Sequence, residues 1–295
     1  MKWEGNRQSD NVEDRREGGA GRGGGRRMIG GRGIGVGTIV IALLAGWIFG
    51  INPMTVLGLL SGGDTGQISA PAAQSAGPRP AVTDPASAFV RTVLADTEDV
   101  WSAVFKAAGG TYTQPTLVLF RGRTDSACGL GESASGPFYC PSDSKVYIDL
   151  AFFDTLRTRL GAPGDFAQAY VISHEVAHHV QNLLGVTGKV DAMRGKTSAT
   201  QMNAMSVRVE LQADCLAGVW AHHSQQGKGW LEKGDIEEAL NAAAQIGDDT
   251  LQRKSQGTVV PESFTHGSSQ QRMTWFKRGL ESGAVKQCNT FDGRL

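Results

Sequence analysis

The five residues His174-Glu175-Val176-Ala177-His178 constrain this chain more than any other stretch, because they put two imidazoles one helical turn apart with a carboxylate beside the first. Histidines at i and i+4 of a helix reach one metal ion from the same face, and the adjoining glutamate reaches a water held by that metal. The surrounding sequence supports the helix. Phe166, Ala169, Tyr170, Ile172, Val176, Ala177, Val180, Leu183 and Leu184 recur at helical rather than alternating spacing, starting after Asp165 and stopping at Gly185. The pattern predicts a metal-bearing helix with one face in a core and one lining a cleft.

A catalytic zinc site takes three protein ligands and keeps a fourth position for water. A second helical pattern, from about Ala199 to Ala221, carries Glu210 and Asp214 one turn apart among Val207, Val209, Leu211, Ala213, Leu216, Val219 and Trp220. Acids in such apolar company need a partner. Glu210 is expected as the third ligand. Asp214 is expected to accept the free N–H of a ligand histidine, a task that metal-bound imidazoles require. The exchange of these two roles stays open, since aspartate also ligates zinc. The other imidazoles, His179, His222 and His223, read as surface or rim residues.

Such a trio implies hydrolysis by one catalytic Zn2+ ion, with Glu175 as general base and then acid toward a peptide or protein substrate. Thr265-His266-Gly267-Ser268-Ser269-Gln270-Gln271-Arg272 places His266 just before a helix start and Arg272 on its first turns. His266 is thus a candidate transition-state donor and Arg272 a supporting residue; the competing reading has His266 capping the helix and Arg272 paired with a core acid. Two other functions share the motif. One is a metal-bound scaffold or chaperone-like module that cleaves nothing, and the other is a zinc hydrolase of a non-peptide bond such as a cell-wall amide.

The chain resembles the neutral zinc metallopeptidase family of bacteria. The resemblance is carried by Asn11-Val12-Glu13-Asp14-Arg15-Arg16, Gly136-Pro137-Phe138-Tyr139-Cys140-Pro141, Val146-Tyr147-Ile148-Asp149-Leu150, the stretch from Tyr170 through Gln181, Glu210-Leu211-Gln212-Ala213-Asp214-Cys215, and His266-Gly267-Ser268-Ser269. It implies a zincin-type protein with a single membrane anchor, His174 and His178 as ligands and Glu175 as catalytic acid/base. More distantly, Glu-x-x-x-Asp after His-Glu-x-x-His looks like the gluzincin pattern, with Glu210 as ligand and Asp214 behind it. Ala177 stands where the family has glycine, a small-for-small exchange.

Composition bears on location. Lys+Arg and Asp+Glu both number 29, so no global charge draws the chain to nucleic acid. Residues 1–33 are expected as a basic cytoplasmic tail, disordered because the arginines of Gly18 to Gly33 sit in glycine with too little apolar surface to bury. Ile34 to Leu60 holds no charged residue and is long enough to cross a bilayer, with Asn52-Pro53 as an interruption. The preceding arginines predict a single-pass anchor in the cytoplasmic (inner) membrane, N-terminus cytoplasmic, with the catalytic domain periplasmic or extracellular; a cleaved signal peptide is the alternative. Sequence gives no identity for any membrane-protein partner. Residues 61–84 read as a flexible tether.

Cys128, Cys140, Cys215 and Cys288 are even in number and lie beyond the apolar run, which suits disulfides. Three connectivities are possible, with Cys128–Cys140 and Cys215–Cys288 preferred on proximity. Residues 85–295 are expected to form one α+β domain, mainly helical and zincin-like with a small sheet. Strands are predicted at Thr116–Phe120 and Lys145–Leu150, the second as the cleft edge on which a peptide adds. Helices are predicted from Asp84-Pro85 to Gly109-Gly110, at Asp235–Leu251 and at Ser268–Leu280. Gly185 to Gly195 reads as a mobile rim.

Overall fold

A computed structural model describes residues 1–16, 84–132 and 136–292. The apolar run 34–60 and most of the expected tail and tether fall outside the described residues. No helix among those described is long and apolar enough to cross a membrane.

Four strands form the main sheet, in the order β1-β2-β6-β5. β2 (Thr116–Phe120) and β6 (Lys145–Asp149) are its centre, paired in parallel with Leu117 beside Val146 and Leu119 beside Ile148. Alternation then sorts their side chains. Leu117, Leu119, Val146 and Ile148 face the helical core, while Val118, Phe120 and Tyr147 pack on the far side with Cys140. β5 (Phe138–Cys140) runs antiparallel along β6. The predicted cleft edge is therefore corrected: Lys145–Leu150 supplies an interior strand, as its four consecutive buried residues require, and the edge is β5. A separate hairpin of β3 (Arg123–Ser126) and β4 (Gly129–Glu132) is fastened to the end of β5 by the Cys128–Cys140 disulfide.

The other edge is β1 (Val12–Asp14), parallel to β2 with Val12 beside Leu117. A disordered tail over 1–33 is thus wrong for residues 1–16. Glycine and arginine between 18 and 33 do not represent the residues before them, which carry apolar anchors and charges that find partners. Trp3 packs edge-on against Phe89 at 5.3 Å. Arg7 bridges Glu98 at 3.0 Å, and Lys145 reaches Glu13 at 2.5 Å.

Helices cover one face of the sheet. α1 (Pro85–Ala107) starts where Asp84 accepts the Ser87 N–H. α2 (Ala151–Thr158) follows β6, and α3 (Asp165–Leu183) crosses the core, with α4 (Val186–Asp191) occupying most of the expected rim. α5 (Ala199–Lys228) begins in a capping box of Ser198 and Gln201 and ends at Gly229, φ 62°, past the expected stop at Ala221. The helix predicted over Asp235–Leu251 is two: α6 (Asp235–Gln245) and α7 (Asp248–Gln256), broken at Gly247. α8 (Ser269–Ser282) is capped by Ser268 and Gln271 and lies close along α5. A Cβ on Gly279 would collide with the Cys215 carbonyl, and one on Gly218 with that of Phe276. The Cys215–Cys288 disulfide ties α5 to the short 3-10 turn Val285–Cys288 that follows α8.

Candidate metal centre

α3 carries His174, Glu175 and His178 on the turn that faces α5, and α5 turns Glu210 and Asp214 toward them. Helical spacing explains the grouping: residues four apart on each helix point the same way, so one crossing brings two pairs together. His174 Nε2 lies 3.1 Å from Glu210 Oε2, and His178 Nε2 lies 3.5 Å from Glu210 Oε1. The two imidazoles stand nearly perpendicular, centroids 4.8 Å apart. Ligand atoms of His174, His178 and Glu210 all fall within 4.8 Å of one another.

Zinc–nitrogen and zinc–oxygen bonds of 2.0–2.1 Å in a tetrahedron imply donor separations of roughly 3.3 Å. The two carboxylate–imidazole separations bracket that figure. Two nitrogens and an oxygen are also the donor types zinc takes. The residues present fit the ion.

Each histidine is held from behind. His174 Nδ1–H donates to Asp214 Oδ1 at 2.9 Å, and His178 Nδ1–H donates to Gln181 Oε1 at 2.8 Å. Both rings thereby present Nε2 to the centre. Asp214 is fully buried and receives three further bonds: from Tyr170 Oη at 2.5 Å, from Arg272 Nε at 2.9 Å and from Arg272 Nη2 at 2.9 Å. Burial would raise this carboxyl, but Arg272 and His174 hold it below its ordinary value. With its oxygens so engaged, Asp214 stands behind His174, and Glu210 is the carboxylate that meets both imidazoles. Arg272 is the partner of a core acid. Gln181 is fixed in turn, its amide donating to the Val209 carbonyl at 2.7 Å and to Gln212 Oε1 at 3.0 Å.

The electrostatics follow from burial opposed by neighbours. Burial lowers His174, but Asp214 and Glu210 outweigh it and raise the ring to about 10. Burial would likewise raise Glu210, yet His178 and His174, with His266, hold it well below the usual carboxylate range. Glu175 is the exception: burial pushes its carboxyl up, only partly offset by His178 and His174.

His266 sits in the turn before α8, its side chain 43% exposed. Its Nδ1 is 3.3 Å from Asp248 Oδ1, and Asp248 Oδ2 accepts the backbone N–H groups of Thr265 at 2.7 Å, His266 at 2.7 Å and Gly267 at 3.0 Å. Burial lowers this imidazole; Asp248 and then Glu210 raise it above its ordinary value.

His179 corrects a sequence expectation. It is wholly buried rather than on a rim, donating from Nε2 to the Thr113 carbonyl at 2.6 Å and accepting from Tyr139 Oη at 3.0 Å. His222 and His223 bond the carbonyls of Leu280 and Gly283 and stand outside the donor group. A second carboxylate group, Asp165, Asp235 and Glu238, lies around the Met1 ammonium, which is 2.8 Å from Asp165. Tyr170, Gln181 and Asp248 were missed. The first two have a signal, four residues before His174 and three after His178; Asp248 has none, being distant in sequence from everything it holds.

A mainly helical α+β domain whose crossing helices bring His-Glu-x-x-His to a later carboxylate defines a protein of the zinc-site class. More narrowly, the chain belongs to the neutral zinc metallopeptidase family: the sequence model described as "Putative neutral zinc metallopeptidase" matches residues 1–291. The chain is 52% identical over 294 residues to the uncharacterized protein YpfJ of Escherichia coli K12, covering 99% of each. It is 43% identical over 216 residues to the uncharacterized protein Rv2575 of Mycobacterium tuberculosis H37Rv, covering 70% of this chain and 72% of that one. No solved structure matches the chain.

Proposed function

We propose that this chain is a zinc-dependent endopeptidase in which His174, His178 and Glu210 hold the ion and Glu175 moves the proton. The single observation that carries the reading is the buried carboxyl of Glu175 adjoining His174 in a three-donor group whose separations fit zinc. When bound, zinc makes a nucleophilic water available near neutral pH and polarises a carbonyl. Glu175 accepts the proton that water loses as its oxygen adds to the peptide carbon. The same carboxyl then delivers that proton to the leaving nitrogen as the C–N bond breaks, so the base is regenerated. His266 donates to the oxygen on which charge develops, and Asp248 holds the ring for that purpose.

An extended peptide adds along β5, the sheet edge beside the metal helix. Support comes from Tyr139, whose hydroxyl bonds both His179 and Asn182 of α3. This ties the edge strand to the helix that carries the donors.

Glu175→Gln tests the proposal. Zinc content is expected to stay at one ion per chain while cleavage of a defined peptide library falls by about 10²–10⁴-fold, the span of a lost general base. Full turnover in a variant that still holds zinc would overturn the mechanism.

A further inference from the structure

Arg16 and Asp84, the described residues on either side of positions 17–83, meet at one point. Arg16 Nη1 meets the Asp84 carboxylate at 2.5 Å, and the same guanidinium is paired with Asp14 at 2.6 Å. Residues before and after this joint are built into each other. The Leu117 N–H donates to the Asn11 carbonyl at 2.8 Å, and the Arg15 N–H to the Leu119 carbonyl at 2.7 Å. The buried carboxylate of Glu98 on α1 accepts from Arg7 at 3.0 Å, Ser9 at 2.5 Å and Asn11 at 2.7 Å. Within those 67 intervening residues lies the uncharged run Ile34–Leu60.

We propose that residues 1–16 and the catalytic domain occupy the same side of any bilayer the chain meets, and that the chain between them returns to the side it left. A single crossing would separate the two by roughly 30 Å of hydrocarbon, whereas neighbouring strands lie about 4.8 Å apart. Both conditions cannot hold in one molecule, and exchange of β1 between copies does not help, because every copy would be threaded alike. Two crossings need roughly 40 apolar residues, and the run has 27. Neither one crossing nor two therefore fits this joint, which sets the proposal against the single-pass arrangement expected from the arginines. This inference is independent of whether the metal centre is catalytic.

The four native cysteines are all bridged, so one added cysteine supplies the only free thiol. Lys2, Asp10 and Glu281 are exposed. The full chain carrying Lys2→Cys, Asp10→Cys or Glu281→Cys is produced in bacterial cells and treated with a membrane-impermeant maleimide before and after lysis. Non-reducing electrophoresis checks that both bridges persist. All three positions are expected to label together, either all in intact cells or all only after lysis. Labelling of Glu281→Cys in intact cells with Lys2→Cys and Asp10→Cys reacting only after lysis, or the reverse, would overturn the proposal; two N-terminal positions guard against one failing to fold.

Discussion

His174 and His178 each commit one ring nitrogen to an acceptor behind them, Asp214 and Gln181, and this fixes which nitrogen is left for the ion. Loss of such an acceptor loosens the ring and lowers its basicity, typically weakening metal binding by about 10–100-fold. Gln181→Ala and Asp214→Asn are each expected to fall in that range in a competition titration against a zinc chelator. The two differ in a second reading. Asp214→Asn also removes the charge that neutralises buried Arg272, so its Tm is expected to drop further than that of Gln181→Ala. Glu210 and Asp214 were legible because acids one turn apart amid apolar residues demand partners. Tyr170 and Gln181 lie at the same helical spacings but passed unnoticed, since a tyrosine and a glutamine on a partly buried helix look like ordinary packing and solvation. What decides their role is the second helix they face, and sequence spacing describes one helix at a time.

At the scale of elements, the crossing of α5 and α8 governs whether Asp214 and Arg272 can meet. Backbone approaches backbone at Gly218 and Gly279, where a methyl group has nowhere to go. Gly279→Ala is expected to destabilise the fold by about 1–3 kcal/mol, the range for overpacking, and to weaken zinc binding along with it. Gly227, near the exposed end of α5, has open space where its Cβ would be. Gly227→Ala is expected instead to stabilise by up to about 1 kcal/mol through helix propensity; thermal unfolding of the pair separates the effects. Long periodic helices and the two central strands could be read from the chain, whereas β1, β3, β4 and β5 could not. Three or four residues establish no period, and Val12-Glu13-Asp14 is mostly acidic, a composition that argues against a strand until Arg15, Arg16 and Lys145 are seen to neutralise it. The split at Gly247 was hidden for another reason. Helical spacing runs on through it, and only the close approach of Ser269 makes a side chain there impossible.

Over the whole molecule, ion pairs add to the β1 ladder and the Trp3 anchor in holding the N-terminal sixteen residues. Asp14 and Asp84 are pushed up by burial, but bonds from Arg16 and from backbone N–H groups bring both below their ordinary value of 3.8. A carboxyl depressed in the folded state stabilises it fully above its unfolded pKa, and the contribution fades as pH falls through the lower, folded value. Docking of this segment is therefore expected to persist at neutral pH and weaken on acidification below about 4. The change should register in the emission of Trp3 where it packs on Phe89, isolated by comparison with Trp3→Phe. β1 also bears on how the protein is prepared. Discarding everything before Asp84, the customary way to free a domain from an apolar leader, would strip a rung from the ladder and bare the Leu117 amide and Leu119 carbonyl as a template for self-association. Such a fragment is expected to aggregate in light scattering, whereas a version that splices Arg16 to Asp84 through a few glycines keeps the rung and should stay monodisperse.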